Sequence, residues 1–268
     1  MEIDRPLFSI VTVCYNSEKT IARTLQSVLA QEFKDYEYLI VDGASTDTTM
    51  NIVQQYKSKF CGRMKFRSEP DKGIYDAFNK GVAWASGIYV WIVNSDDYIE
   101  PDALIKLEKL ICGYNGEKLP IISAMMNFIS PNGKISKVYG SSLKSCQDAY
   151  KNFGMGLNHP ATLVPKQIYA SVGFFDDKFA IMADIDWFLR AFKSDMPMEF
   201  PQFVITNMCY GGISTAVSFK KLYKDRKLLF KKHSRNFFIA KMHLVKWALV
   251  YFRDYYFRDI YNLNMEKN

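Results

Sequence analysis

Apolar residues follow two rhythms along this chain. Phe8–Cys14, Tyr38–Val41, Met64–Arg67 and Ile88–Val93 are short runs of strand length, rich in β-branched and aromatic side chains. Between them the spacing switches to threes and fours. Ile21, Leu25, Val28 and Leu29 share one face of a helix predicted to run from Ser17, as its N-cap, to about Gln31. Thr48 opens a second helix, to about Phe60, and Ile74, Ala77, Phe78 and Val82 mark a third over Gly73–Ala85. A fourth starts at Pro101. Strands alternating with helices of roughly ten to fifteen residues predict an α/β fold with a parallel, doubly wound sheet. The strands are apolar on both faces, as expected where helices cover both sides. Such sheets take ligands beyond the carboxyl ends of their strands. Asp42 and Asp96 each stand at such an end, so folding alone is expected to bring them to one rim.

The second half is less regular. Ile121–Ile129 reads as one strand, and Pro131-Asn-Gly133 as the hairpin turn into a partner strand over Lys134–Tyr139. Ala183–Phe192 reads as a helix and Val204–Met208 as a strand. Nothing rich in Pro, Gly or Ser divides the two halves, and no internal repeat is visible. The expected organisation is one domain over 1–215, its halves being about 7–110 and 111–215, followed by a helical extension over 216–268. In that extension Phe238, Met242, Val245, Leu249, Phe252 and Tyr256 recur at intervals of four and three, forming one apolar stripe.

Charge changes the picture of the extension more than of the body. The chain of 268 residues carries a net +7. From Lys220 onward there are 13 Lys/Arg and 4 Asp/Glu, a net of +9, so the remainder carries −2. A basic, aromatic, amphipathic helix suits either an anionic membrane surface or the flank of its own domain. A nucleic-acid binder would be basic throughout, and none of its motifs is present. The five Cys have neither CxxC nor zinc spacing, which predicts free thiols in a reducing cytosol. Glu2, Asp4 and Arg5 stand where a secretory signal core would begin, and no apolar run is long enough to span a bilayer. The expected location is cytoplasmic, with peripheral attachment to the inner face of the membrane. A composition of 49% hydrophobic and 24% charged residues excludes a largely disordered chain.

Five segments carry a resemblance. Ser9-Ile-Val-Thr-Val-Cys-Tyr-Asn16 with Thr24–Gln31, Leu39-Ile-Val-Asp-Gly-Ala-Ser-Thr-Asp47, the loop and helix Glu69–Gly81, Asn94-Ser-Asp-Asp97, and Gly173-Phe-Phe-Asp176 with Ala183–Arg190 stand in order with consistent spacing. Together they resemble a family 2 glycosyltransferase over about residues 7–215. The resemblance implies a GT-A fold, with a Rossmann-like, mostly parallel sheet flanked by helices. It also implies a nucleotide-sugar donor, transfer with inversion, and a divalent metal.

Each motif has its own chemistry. Asn94-Ser95-Asp96 occupies the family's Asp-x-Asp position, with Asp96 as the metal residue. A nucleoside diphosphate leaves more readily when Mn²⁺ or Mg²⁺ neutralises it, and both ions favour carboxylate oxygen. Asn94 keeps an acceptor oxygen but lacks the family's charge, which Asp97 is expected to supply. By itself Asn94–Asp97 also reads as a cap for the helix at Pro101. Asp42 matches the family's base-binding residue, since a carboxylate accepts from the N–H of uracil or guanine. Thr12, Cys14, Tyr15 and Asn16 would flank base and ribose. Glu69, Asp71 and Lys72 would close the other side, with Lys72 either on a phosphate or paired with Asp71. His159, before Pro160, would lie near the acceptor or diphosphate. Asp184 stands where the family has its base, although Ala183 replaces the usual Glu. A carboxylate opposite the leaving group can take the acceptor's proton. Gly211-Gly212-Ile213-Ser214 resembles a loop that folds over the donor.

UDP is the favoured nucleotide. The favoured acceptor is a lipid-linked or growing saccharide of the cell surface, reached at the membrane. Two other classes remain open on the residues alone. A degenerate nucleotide-sugar-binding module would explain Asn94 and Ala183. A sugar nucleotidyltransferase would need a Gly-rich loop after the first strand, where this chain has Cys14-Tyr-Asn-Ser-Glu18.

Overall fold

The computed structural model describes residues 5–114, 118–212, 217–234, 238 and 241–249. The chain divides into two compact units, Met1–Ala216 and Val217–Asn268.

In the first unit, β1 (Phe8–Cys14), β2 (Tyr36–Asp42), β3 (Met64–Ser68) and β4 (Tyr89–Ile92) pair in parallel in the order β3-β2-β1-β4. Between them run α1 (Ile21–Leu29), α2 (Thr49–Tyr56) and α3 (Ile74–Trp84). Every residue of β1, β2 and β4 is buried, as expected for a sheet covered on both faces. The core includes Phe8, Ile10, Tyr38, Ile40, Trp91, Leu104 and Leu163. Helix α3 sits hard against the sheet because Gly81 faces Val11 with no room for a side chain.

After β4 come β5 (Tyr98–Ile99), α4 (Ala103–Cys112), β6 (Ile121–Ser123), β7 (Met125–Ile129) and β8 (Ile135–Tyr139). Then follow α5 (Leu143–Lys151), β9 (Thr162–Pro165), α6 (Lys166–Val172), α7 (Ala183–Lys193), β10 (Met198–Glu199) and β11 (Val204–Cys209). The main sheet has seven strands, β10-β6-β9-β4-β1-β2-β3. It is parallel except at β9, which runs antiparallel to both β4 and β6. A second sheet, β5-β11-β7-β8, lies beside it.

Three sequence expectations need correction. Ser17 does not cap α1, which begins four residues later with Thr20 at its N-cap. Instead the Ser17 amide donates to Thr49 Oγ1, and its hydroxyl pairs with that of Ser95. The stretch 121–129 is two strands in two sheets, broken at Ala124, whose amide donates to the Ala161 carbonyl and whose own carbonyl accepts from Asn158. Asn94–Asp97 does not cap α4: β5 intervenes, and the N-cap is Asp102.

The second unit contains α8 (Phe219–His233), and residues 241–249 are also helical. The two pack through Phe219 stacked on Trp247 at 6.0 Å, Arg226 over the same ring, and Phe230 against His243. Of the apolar stripe, Phe238, Met242, Val245 and Leu249 are exposed, while Phe252 and Tyr256 lie outside the described residues. Among the described residues no helix is long and apolar enough to cross a membrane. The described cysteines are all free thiols.

Candidate active site

The carboxyl ends of β1, β2 and β3 are level, with Cys14 opposite Asp42 and Asp42 opposite Ser68. This brings the expected nucleoside residues together but sorts them into two groups. Thr12, Cys14 and Asp42 point inward. Thr12 is fully buried, its hydroxyl bonded to that of Tyr38 at 3.1 Å. Asp42 is also fully buried, and its carboxylate accepts from the Ser45 amide and hydroxyl, the Ser68 hydroxyl and the Cys14 thiol. Burial and this carboxylate push the Cys14 thiol up and keep it protonated. The expectation that Asp42 meets a base directly is therefore not matched by an accessible acceptor. Its strand position is covered on both faces, and it braces the rim from behind.

The second group is open. Tyr15 is 62% exposed, and Asn16, Glu69 and Lys72 are exposed as well. Asn16 Oδ1 accepts from the Thr46 amide. Asp71 is half-buried against Gly43, where any Cβ would collide with its carboxylate and also touch the Tyr15 ring. Asp71 Oδ1 accepts from the Gly73 amide. The Lys72 amide donates to Asp76 Oδ2, while its ammonium makes no ion pair among the described residues; Lys80 bridges Glu69 and Asp76.

The Asn94–Asp97 turn follows β4 directly. Thr24 donates to the carbonyls of Ser95 and Asp97, and Arg23 donates to that of Asp96 at 2.7 Å. Asp97 faces inward: it accepts from the Cys209 amide at 2.9 Å and from Asn94 Nδ2 at 3.2 Å. Burial and the neighbouring Asp96 raise it to about 7. It is thus tied to β11 through the Cys209 amide. Asp96 is half-buried, raised by desolvation, and lies against Gly212. The rest of that glycine loop, Ile213 and Ser214, lies outside the described residues. Asn94 Oδ1 is buried and accepts no hydrogen bond.

Asp184 is in the first turn of α7. Its Oδ1 accepts from the Ile185 amide at 2.8 Å and from the Tyr75 hydroxyl at 3.2 Å. Burial raises it above the usual carboxylate range, opposed by His159 and these donors. Asp186 points away, buried against Arg190, which also donates to the Val172 and Phe174 carbonyls. His159 lies between Phe78 and Phe175, with ring centroids at 5.2 and 6.1 Å. Burial lowers it, so it is neutral, and its Nε2 is buried without a partner. Its backbone segment is fixed, because the Pro160 carbonyl accepts from both Trp91 and Thr206. A cavity of about 20 Å³, room for one water, joins Asp184 and His159 to Ile92, Tyr169, Phe175 and Trp187. Ile92 is the last residue of β4, so Asp184 and the Asn94–Asp97 turn converge on one strand end.

Sequence reasoning missed Tyr75, Arg23 and Cys209. Arg23 bonds Cys209 Sγ at 3.0 Å and covers the Tyr98 ring. Each acts through a partner distant in sequence, and local spacing carries no sign of such a pairing.

Residues 9–117 match the family model "Glycosyl transferase family 2". A PGL/p-HBAD biosynthesis glycosyltransferase of Mycobacterium bovis is 25% identical over 222 residues, covering 82% of this chain and 83% of the relative. The fold is similar to that of S. aureus TarS 1–349 in complex with UDP-GlcNAc, with TM-score 0.68, 20% identity and coverage of 90% and 71%. Against a longer TarS chain the match spans 42% of that chain. It also resembles the mannosyltransferase PcManGT of Pyrobaculum calidifontis in complex with GDP-Man and Mn²⁺, with TM-score 0.62, 17% identity and coverage of 87% and 65%. The fold is of the GT-A type. Residues 9–117 thus match glycosyltransferase family 2, and the chain is an enzyme that transfers sugar.

Proposed function

We infer that the enzyme moves a sugar, with inversion, from a nucleoside diphosphate sugar to an acceptor hydroxyl. Asp184 is its base. Oδ1 is held by the Tyr75 hydroxyl and the Ile185 amide, and Oδ2 takes the acceptor's proton as that oxygen attacks the anomeric carbon. The aromatic wall of Phe175, Tyr169 and Trp187 limits water around the base, which favours transfer over hydrolysis. The observation that carries this reading is the convergence of Asp184 with the Asn94–Asp97 turn at the end of β4.

Asn94 and Asp96 fit a divalent cation, on the ground that Asn94 Oδ1 is a buried acceptor with no donor. When bound, the cation would neutralise the departing diphosphate. Among the described residues no three His, Cys, Asp or Glu cluster to form a cage. A site completed by diphosphate oxygens suits Mg²⁺ or Mn²⁺, which bind through few carboxylates. Tyr15, Asn16, Glu69, Asp71 and Lys72 form the open edge of the nucleoside cleft. UDP is favoured, in line with the UDP-GlcNAc complex of TarS; the GDP-Man complex of PcManGT makes GDP the competing case.

The acceptor we favour is a lipid-linked or growing saccharide of the cell surface, reached from the cytoplasmic side. The exposed Met242, Val245 and Leu249 beside Lys241 and Lys246 support contact with an anionic membrane. Calorimetric titration with UDP, GDP, dTDP and CDP, each with Mn²⁺ and with chelator, tests the donor site. Metal-dependent binding of one nucleotide is expected, and no binding by any of them in the folded protein would sink the assignment. Sedimentation with phosphatidylglycerol vesicles, weakened by salt, is the matching expectation for the membrane contact.

A further inference from the structure

The Tyr75–Asp184 contact spans 109 residues and joins the strand-and-helix half to α7. Its surroundings make it directional. The phenol reaches the first turn of α7, a helix that has no side-chain cap. An ionised carboxylate can only accept, so in the 3.2 Å contact the Tyr75 hydroxyl is the donor. Burial and the adjacent carboxylate raise the phenol well above its ordinary value, so it remains a donor throughout the working pH range.

The ring is held independently of its hydroxyl. Tyr75 packs on Phe78 at 5.6 Å and on Phe175 at 6.0 Å. One turn along the same face of α3, Asn79 donates to the Phe175 carbonyl at 2.8 Å and accepts from the Phe175 amide at 2.9 Å. This pair sets the register of α3 against the loop before α7, and so the reach of the Tyr75 hydroxyl.

We propose that Tyr75 is the positioning residue of the base: its hydroxyl and the Ile185 amide fix Asp184 Oδ1, leaving Oδ2 as the oxygen that takes the proton. The proposal rests on Asp184 being the base. The titratable groups that face Asp184 are Tyr75 from α3, His159 from the turn before β9 and, across the shared cavity, Tyr169 from α6. His159 and Tyr169 are present in every variant of the test, so they do not confound it.

The test is Tyr75→Phe in the full chain, which keeps the ring and its packing. ¹³C NMR of Asp-labelled protein follows the Asp184 carboxyl, assigned by its absence in Asp184→Asn. Loss of one donor to the ionised form is expected to move its titration upward by about one pH unit. UDP release from UDP-GlcNAc with Mn²⁺ should fall about tenfold or more in kcat with KM little changed, and the acid limb of its pH profile should move upward with the titration. A hydroxyl that merely caps α7 predicts a lower Tm with the Asp184 titration unmoved, and that result overturns the proposal. Undiminished UDP release by Asp184→Asn removes the base itself, and the proposal with it. Loss of release in Asp184→Asn alongside an unshifted Tyr75→Phe profile removes the proposal alone.

Discussion

The acidic groups at the nucleotide rim and the one in the aromatic pocket are built on opposite plans. Asp42 is enclosed by two hydroxyls, a thiol and an amide. Asp97 accepts from a backbone amide and an Asn side chain. Asp184 accepts from one hydroxyl and one amide, on a single oxygen, and otherwise faces Phe175, Tyr169, Trp187 and a neutral His159. A carboxylate with donors on both oxygens is held in place and has neither oxygen free to receive a substrate proton. One held on a single oxygen, in apolar surroundings that raise its pKa, is poised to gain and lose a proton. On the proposed reading, rigidity at the rim is thus separate from proton transfer in the pocket.

The largest expected effect breaks the pocket side. Asp184→Asn keeps the acceptor of the Tyr75 bond but removes the base. Transfer should fall by about 10²–10⁴-fold while nucleotide binding stays unchanged. In the wild type the same group sets the sign of the pH dependence. The rate should be full above the raised pKa of Asp184 and fall as the carboxylate is protonated below it. Stopped-time assays of transfer across pH check both, and near-normal turnover of the variant would transfer the base role elsewhere.

Asp96→Ala breaks the rim side and is expected to act differently. Mn²⁺-dependent binding of the nucleotide should be lost, with a drop in turnover at saturating donor of about tenfold or more. The fold should survive, because Asp96 is only half-buried and its structural bond, from Arg23, is to the backbone carbonyl. Calorimetry with and without chelator gives the answer: equal binding in both conditions would mean that Asp96 holds no cation.

The contrast between the two regions also explains what could be read from the sequence. The four parallel strands and three helices over 8–84 and 89–92 were legible because each burial pattern is local, and the family motifs sit at their ends. Beyond Ile121 the chain changes sheets at Ala124, adds the antiparallel β9, and forms α5 and α6 without a clear periodic signal. At the candidate site, motif position singled out Asp184, Asp96 and Tyr15, but it could not separate open residues from enclosed ones. Thr12, Cys14 and Asp42 are on strands covered on both faces, and their inward orientation comes from the packing of the helices. Tyr75 was hidden for a related reason. The stripe Ile74, Ala77, Phe78, Val82 identifies the buried face of α3, whereas Tyr75 depends on a helix a hundred residues further on.

The smallest expected effect sharpens the comparison at Asn94. The family pattern has Asp at this position, so Asn94→Asp would be expected to strengthen metal binding by adding a charge. The geometry argues for a more limited gain. Asn94 Nδ2 donates to the buried Asp97, and its unpartnered Oδ1 is the acceptor that the proposed cation would use. An aspartate keeps the second and loses the first. It also puts a second carboxylate against Asp97, which burial and Asp96 already raise to about 7. Like charges that close cannot both ionise without cost, so one of the pair should take up a proton. The metal-free variant is expected to melt lower, by about 2–4 °C for each kcal/mol lost in a domain of this size. Saturating Mn²⁺ with nucleotide should recover most of that difference, because the cation offsets the added charge. Nucleotide affinity in Mn²⁺ should then change by less than about tenfold, roughly 1.4 kcal/mol. A much larger gain, with no loss of metal-free stability, would mean that Asn94 is not needed to satisfy Asp97 and that the rim is less rigid than its hydrogen bonds imply.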